Sequence, residues 1–240
     1  MPGAALPMNV TVTPETIVLL PVLLFSLICH EIGHAYVAYL GGDDTAKLQG
    51  RISLNPLPHI DPLGTVLIPI MQMFTSIPLI GWAKPVPVNP SRLRSAKWDL
   101  AVSLSGVGVN LGLAVAAAVL YKIFLLTSFA PDFWGRPDPV TIPYLVSVIF
   151  RGLILMNLAL MLFNLLPIPP LDGSHVLAHF VAARNTPGFR VLAFLERFGY
   201  VILILFVVTG GLWFVLEPVL NSMIWFLGFV LRIPFRWFVI

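Results

Sequence analysis

Residues 15–40 read ETIVLLPVLLFSLICHEIGHAYVAYL. The run is apolar throughout, except that its second half carries His30, Glu31 and His34. About 20 apolar residues suffice to cross the hydrocarbon of a bilayer as a helix, so this stretch predicts a membrane span. Gly41-Gly42 stops it. On a helix, residues four apart share a face. His30 and His34 can therefore present two imidazoles to one Zn²⁺, with Glu31 beside the metal as a general base. An ionised side chain at the centre of such a run costs about 2.5 kcal/mol or more. A bound cation relieves that cost, which argues against a chance occurrence of the motif.

The rest of the chain has the same character. Of 240 residues, 58% are hydrophobic and only 10% charged, with a mean hydropathy of +0.93. Soluble domains carry roughly 25% charged residues, so lipid is the solvent for most of this surface. The expected fold is an all-α, polytopic transmembrane helix bundle of about five to six spans. A re-entrant or short β segment is expected after the first span. The charge of +3 fits basic loops on one membrane face and gives no reason to expect nucleic-acid binding. The lone cysteine, Cys29, excludes an intramolecular disulfide. No Lys or Arg occurs in the first fifteen residues, so a positively charged signal-peptide start is missing.

Further apolar stretches cover 98–129, 141–166, 190–209 and 212–235, and a shorter one, 63–80, is broken by Pro69 and Pro78. A short helix is expected over 173–184. The chain reads as one integral-membrane domain, 1–240, with a core at about 15–180 and two closing spans in 190–240. The loops 43–62 and 81–97 hold Lys47, Arg51, Lys84, Arg92, Arg94 and Lys97; loop 130–140 holds only Arg136. Basic loops face the cytoplasm. That puts the N-terminus outside and both basic loops inside, with Arg232 and Arg236 at the inner C-terminal end. Segment 63–80 then enters and leaves on one side; the competing arrangement makes it a sixth span.

Two imidazoles leave zinc short of a third protein ligand. Asp99, Glu196 and Glu217 lie near predicted span ends, where anchoring at the interface explains them. Asp172 follows the proline-rich stretch Asn164-Leu165-Leu166-Pro167-Ile168-Pro169-Pro170-Leu171 and precedes Gly173. That stretch can push a carboxylate back into the bundle; an N-cap is the alternative. His175 and His179 are also four apart, but Val176 stands where a hydrolase needs Glu. His59 sits in a turn, either at a site entrance or as a structural residue. Asn164 and Asn110 are amides at membrane depth, suited to an oxyanion or to interhelical bonding. Gly106 and Gly108 favour close helix packing.

HEIGH in the first span and NLLPIPPLDG in a later one resemble the site-2 protease family of intramembrane zinc metalloproteases, peptidase family M50. The strings GRISLNPLPHIDPLGT and GWAKPVPVNP resemble loops of its compact prokaryotic branch, without PDZ or CBS domains. The matching stretches fall between about residues 25 and 178. Members often carry G-P-x-x-N in the middle core span, where this chain has Val107 in place of Pro. The resemblance implies zinc on His30, His34 and Asp172, with Glu31 as catalytic acid/base and Asn164 facing substrate or oxyanion. It also implies a multi-pass protein of a prokaryotic cell membrane that cuts a single-span membrane protein in or near its transmembrane segment. The alternatives are a zinc-binding membrane transporter and a catalytically inactive scaffold. The outer halves of the later spans are nearly free of ionisable groups, against a transport path.

Overall fold

The computed structural model describes residues 14–68, 83–127, 141–181 and 187–233. Most of the expected re-entrant segment and the whole 130–140 loop lie outside them. The described chain forms α1 (Pro14–Leu40), the short α2 (Thr45–Leu48), α3 (Ala96–Leu125), α4 (Ile142–Asn164), α5 (Asp172–Val181), α6 (Pro187–Val208) and α7 (Gly211–Leu231). Five of these, α1, α3, α4, α6 and α7, are long and apolar enough to cross a membrane. Among the described residues there is no strand, so the expected short β segment does not appear there.

Local chemistry explains the boundaries. α1 ends where Gly42 adopts φ +107, a conformation glycine takes without a steric penalty. Pro143 and Pro187 stand in the first turns of α4 and α6, where an N–H has no helical partner to lose. After Asn164, Pro167, Pro169 and Pro170 prevent a regular helix, and the Pro169–Pro170 bond is cis. Asp61 accepts the N–H groups of Leu63 and Gly64 and so starts a π-helical turn, Pro62–Leu67. The chain is back beside this turn at Lys84, whose N–H donates to the His59 carbonyl at 2.9 Å.

α1, α3 and α4 pack as the centre of the molecule. Asn157 of α4 donates to Ser26 of α1 at 2.9 Å with both residues fully buried. Such an interhelical bond contributes about 0.6–2 kcal/mol. The last helix joins this centre by apolar packing, Leu220, Ile224 and Ile233 closing on Ala114, Ala117, Ala118 and Tyr121.

Two expectations from charge are corrected here. Arg232 does not sit with the basic loops. Its carbonyl accepts from Lys122 Nζ at 3.2 Å, and Ile233 packs beside Tyr121, at the C-terminal end of α3. Residues 83–95 enter the opposite end of that helix, about 45 Å away at 1.5 Å per residue. A few charges bias orientation weakly; the apolar match between the last helix and the alanine face of α3 outweighs them. The outer half of α4 is also less bare than composition suggests. Arg151 is buried there beside Tyr144, whose hydroxyl donates to Glu15.

Candidate metal centre

One face of α3 receives the imidazoles of α1. Val102, Gly106 and Asn110 recur every four residues, so they form one stripe. A Cβ on Gly106 would lie 2.4 Å from His30 Cε1 and 2.5 Å from His34 Nε2. Only a residue without a side chain lets the two rings lie against this helix. Gly33, between them on α1, is pressed as closely: its Cβ would lie 2.8 Å from Val109 Cγ2.

The stripe also orients the rings. His34 Nδ1–H donates to the Val102 carbonyl at 2.7 Å, and His30 Nδ1–H donates to Asn110 Oδ1 at 3.1 Å. A carbonyl oxygen only accepts, so the ring protons sit on Nδ1 and both Nε2 atoms carry lone pairs. Those lone pairs face one another at 3.0 Å. Asp172 brings Oδ2 to 3.3 Å from each of them, and this buried oxygen has no hydrogen-bond partner. Three electron-rich atoms aimed at one point repel each other unless a cation lies between. Zinc bonds to nitrogen and oxygen of about 2.0–2.1 Å in a tetrahedron put neighbouring donors about 3.3 Å apart. The observed triangle of 3.0, 3.3 and 3.3 Å fits.

Asp172 reaches the site because the proline stretch ends there and α5 begins. Gly173 lets the new helix start against the end of α4: a Cβ there would lie 2.3 Å from the Leu165 carbonyl oxygen. Among the described residues, His30, His34 and Asp172 are the one group of ligand side chains arranged for a metal. Glu196 and Glu217 are exposed, and His175 is exposed with no third ligand near it and His179. His59 lines no entrance. It is fully buried with a ring nitrogen on the Ser53 carbonyl, and burial pushes its imidazolium pKa down. Asn164 is not drawn into the metal triangle; its amide donates back to the Leu160 carbonyl at 3.0 Å. Gly108 faces open space, so of the two paired glycines only Gly106 serves close packing.

Glu31 points to a different partner. Its Oε2 accepts the Val86 N–H at 2.7 Å. Nothing in the sequence announces that contact. The support of His30 by Asn110 had a signal, the spacing of four from Gly106.

The model of a protein family described as Peptidase family M50 matches residues 140–206. YwhC of Bacillus subtilis, provisionally named a zinc metalloprotease, is 36% identical over 209 residues, covering 85% of this chain and 88% of YwhC. The chain belongs to peptidase family M50. Two mycobacterial proteins, both called Rip2 and with the same provisional name, are also similar. The one from Mycolicibacterium smegmatis is 30% identical over 80% of this chain and 67% of its own length. The one from Mycobacterium tuberculosis strain H37Rv is 31% identical over 86% and 69%. No solved structure gives a significant match. As an M50 peptidase the protein is a zinc metallopeptidase of the site-2 type, and its apolar helices make it a multi-pass membrane protein.

Proposed function

We propose that this M50 peptidase hydrolyses a peptide bond in or beside the transmembrane segment of a membrane-anchored substrate. His30, His34 and Asp172 hold the zinc, and Glu31 moves the proton. The convergence of two imidazole lone pairs and an unpartnered carboxylate oxygen carries this reading. The site's place in the membrane supports the substrate class: His30 lies about 15 Å along α1 from its end at Leu40, at 1.5 Å per residue.

Held by His30, His34 and Asp172, zinc would supply Lewis acidity towards a carbonyl oxygen and would lower the pKa of water towards neutrality. Glu31, one residue from His30, takes a proton from the attacking water and delivers it to the leaving amine. Asn164 leaves its Leu160 carbonyl to donate to the developing oxyanion. The substrate's helix must unwind first, since its carbonyls are occupied by helical hydrogen bonds. Residues at about 15–180 form the catalytic core, and the substrate is a single-span protein of a prokaryotic cell membrane cut in regulated proteolysis. A transport path is disfavoured. Ile154, Leu158, Ala114 and Ala118, all fully buried, form an apolar layer in the centre of the bundle.

The test pairs wild type with Glu31→Gln in detergent. Zinc per chain and cleavage of a single-span model substrate are measured for each. About one zinc in both with cleavage only by wild type is expected for the three-ligand site. Equal cleavage by the variant, or zinc absent from both, removes the reading.

A further inference from the structure

Pro85-Val86-Pro87 contains a single backbone N–H, that of Val86, because proline has none. That N–H is the one bonded to Glu31 Oε2, at 2.7 Å. The prolines also shape the segment. A residue before proline is pushed into an extended conformation, and Lys84, Val86 and Asn89 each precede one. The segment is tied at both ends. Lys84 N–H donates to the His59 carbonyl at 2.9 Å, and Asn89 N–H donates to Asp43 Oδ2 at 2.6 Å.

A third tie is stronger. Arg51 is 4% exposed and charged. It donates to the carbonyls of Pro58, at 2.7 Å, and of Lys84 and Pro85. One planar guanidinium therefore joins the 51–59 loop to the two residues that precede Val86. It is also near enough for its charge to act on Glu31. Loops usually lie on the surface and are variable, yet this one encloses a cation to hold a three-residue stretch in place.

We infer that Val86 and Arg51 are positioning residues for hydrolysis: the Val86 amide fixes one oxygen of Glu31, and Arg51 fixes the segment that carries the amide. The arrangement leaves Glu31 Oε1 to handle the proton. It also uses the N–H groups of Lys84 and Val86 and the carbonyls of Lys84 and Pro85 internally. The inference rests on Glu31 being the base, as proposed above.

Val86→Ala keeps the N–H and Val86→Pro removes it. Zinc-loaded full-length protein of each, with wild type and Glu31→Gln, is assayed on a single-span model substrate for kcat, KM, zinc content and Tm. The expected result is kcat for Val86→Pro about 10- to 100-fold below Val86→Ala, as misplacing a reacting group by an ångström costs, with KM, zinc and Tm matched. Equal kcat for the two variants beside an inactive Glu31→Gln overturns the positioning role and leaves the base intact. A raised KM with kcat held also overturns it, in favour of substrate contact. An active Glu31→Gln removes the base and this inference with it. Where Val86→Pro fails to fold, Arg51→Lys carries the test, since an ammonium cannot reproduce the planar fork. Lower kcat at full zinc and unchanged KM supports the role; unchanged kcat overturns it.

Discussion

Val102, Gly106 and Asn110 on the first half of α3 receive the imidazoles of α1, whereas Ala114, Ala117, Ala118 and Tyr121 on its second half receive Leu220, Ile224 and Ile233. Both halves use small residues to bring a neighbour close, as helices in lipid must when no hydrophobic drive joins them. What fills the space differs. In the first half it is polar rings, and each Nδ1–H there has a directed acceptor. In the second half it is aliphatic chains, held by summed dispersion contacts that any similar shape can supply. The first half should thus tolerate almost no change in chemistry, and the second should tolerate change at a cost in stability alone.

The comparison is sharpest at Gly106. Gly106→Ala places a methyl within 2.4 Å of His30 and 2.5 Å of His34, so the rings must leave. Zinc per chain should fall towards zero and cleavage by roughly 10³-fold or more, since the metal's activation of water is lost. Retained zinc would break the contrast. Ile224→Ala in the second half should lower stability by about 2–4 kcal/mol, read by unfolding in detergent, with zinc content and kcat unchanged. If zinc falls as well, the halves are not independent.

Asn110→Ala removes the acceptor that orients His30 without touching the metal. A lost supporting bond of this kind weakens metal affinity about 10- to 100-fold, measured by competition with a chelator. The smallest effect lies outside the spans, at Asp43. Its carboxylate is fully buried. Burial raises its pKa, but the N–H groups of Asn89 and Thr45 and the Thr45 hydroxyl outweigh burial and hold it below the ordinary 3.8. A depressed pKa stabilises the fold at pH above the unfolded value, and that contribution is lost as pH falls through the folded value. The Tm difference between wild type and Asp43→Asn should be constant above about pH 5 and shrink below pH 3.8. A difference independent of pH there would show that Asp43 acts by shape alone.

The legible parts of this protein were those encoded over short distances. His30 and His34 announce a shared face because the helical period is local, and the apolar length of α1 announces the membrane for the same reason. The stop at Gly41-Gly42 and the break at Pro167 follow from the backbone limits of single residues. By residue chemistry alone Asp172 was one carboxylate among several; the proline stretch before it and the resemblance carried by NLLPIPPLDG singled it out. What separates it from Glu196 and Glu217 is burial, a property of the packed bundle.

Arg232 shows the opposite limit. Charge bias reads each loop by itself, and by that measure Arg232 belongs with the basic loops. Packing put it at the other end of α3, because Leu220, Ile224 and Ile233 fit the alanine face there. Glu31 and Val86 are 55 positions apart, and the hydrogen bond between them depends on Arg51, His59 and Asp43 holding an extended segment against α1. Periodicity, composition and backbone restriction act within a few residues, so the sequence alone determined a membrane bundle with HExxH inside it. Which glycine admits the rings and which amide meets the base depend on surfaces brought together from remote parts of the chain, and only the tertiary structure decided those.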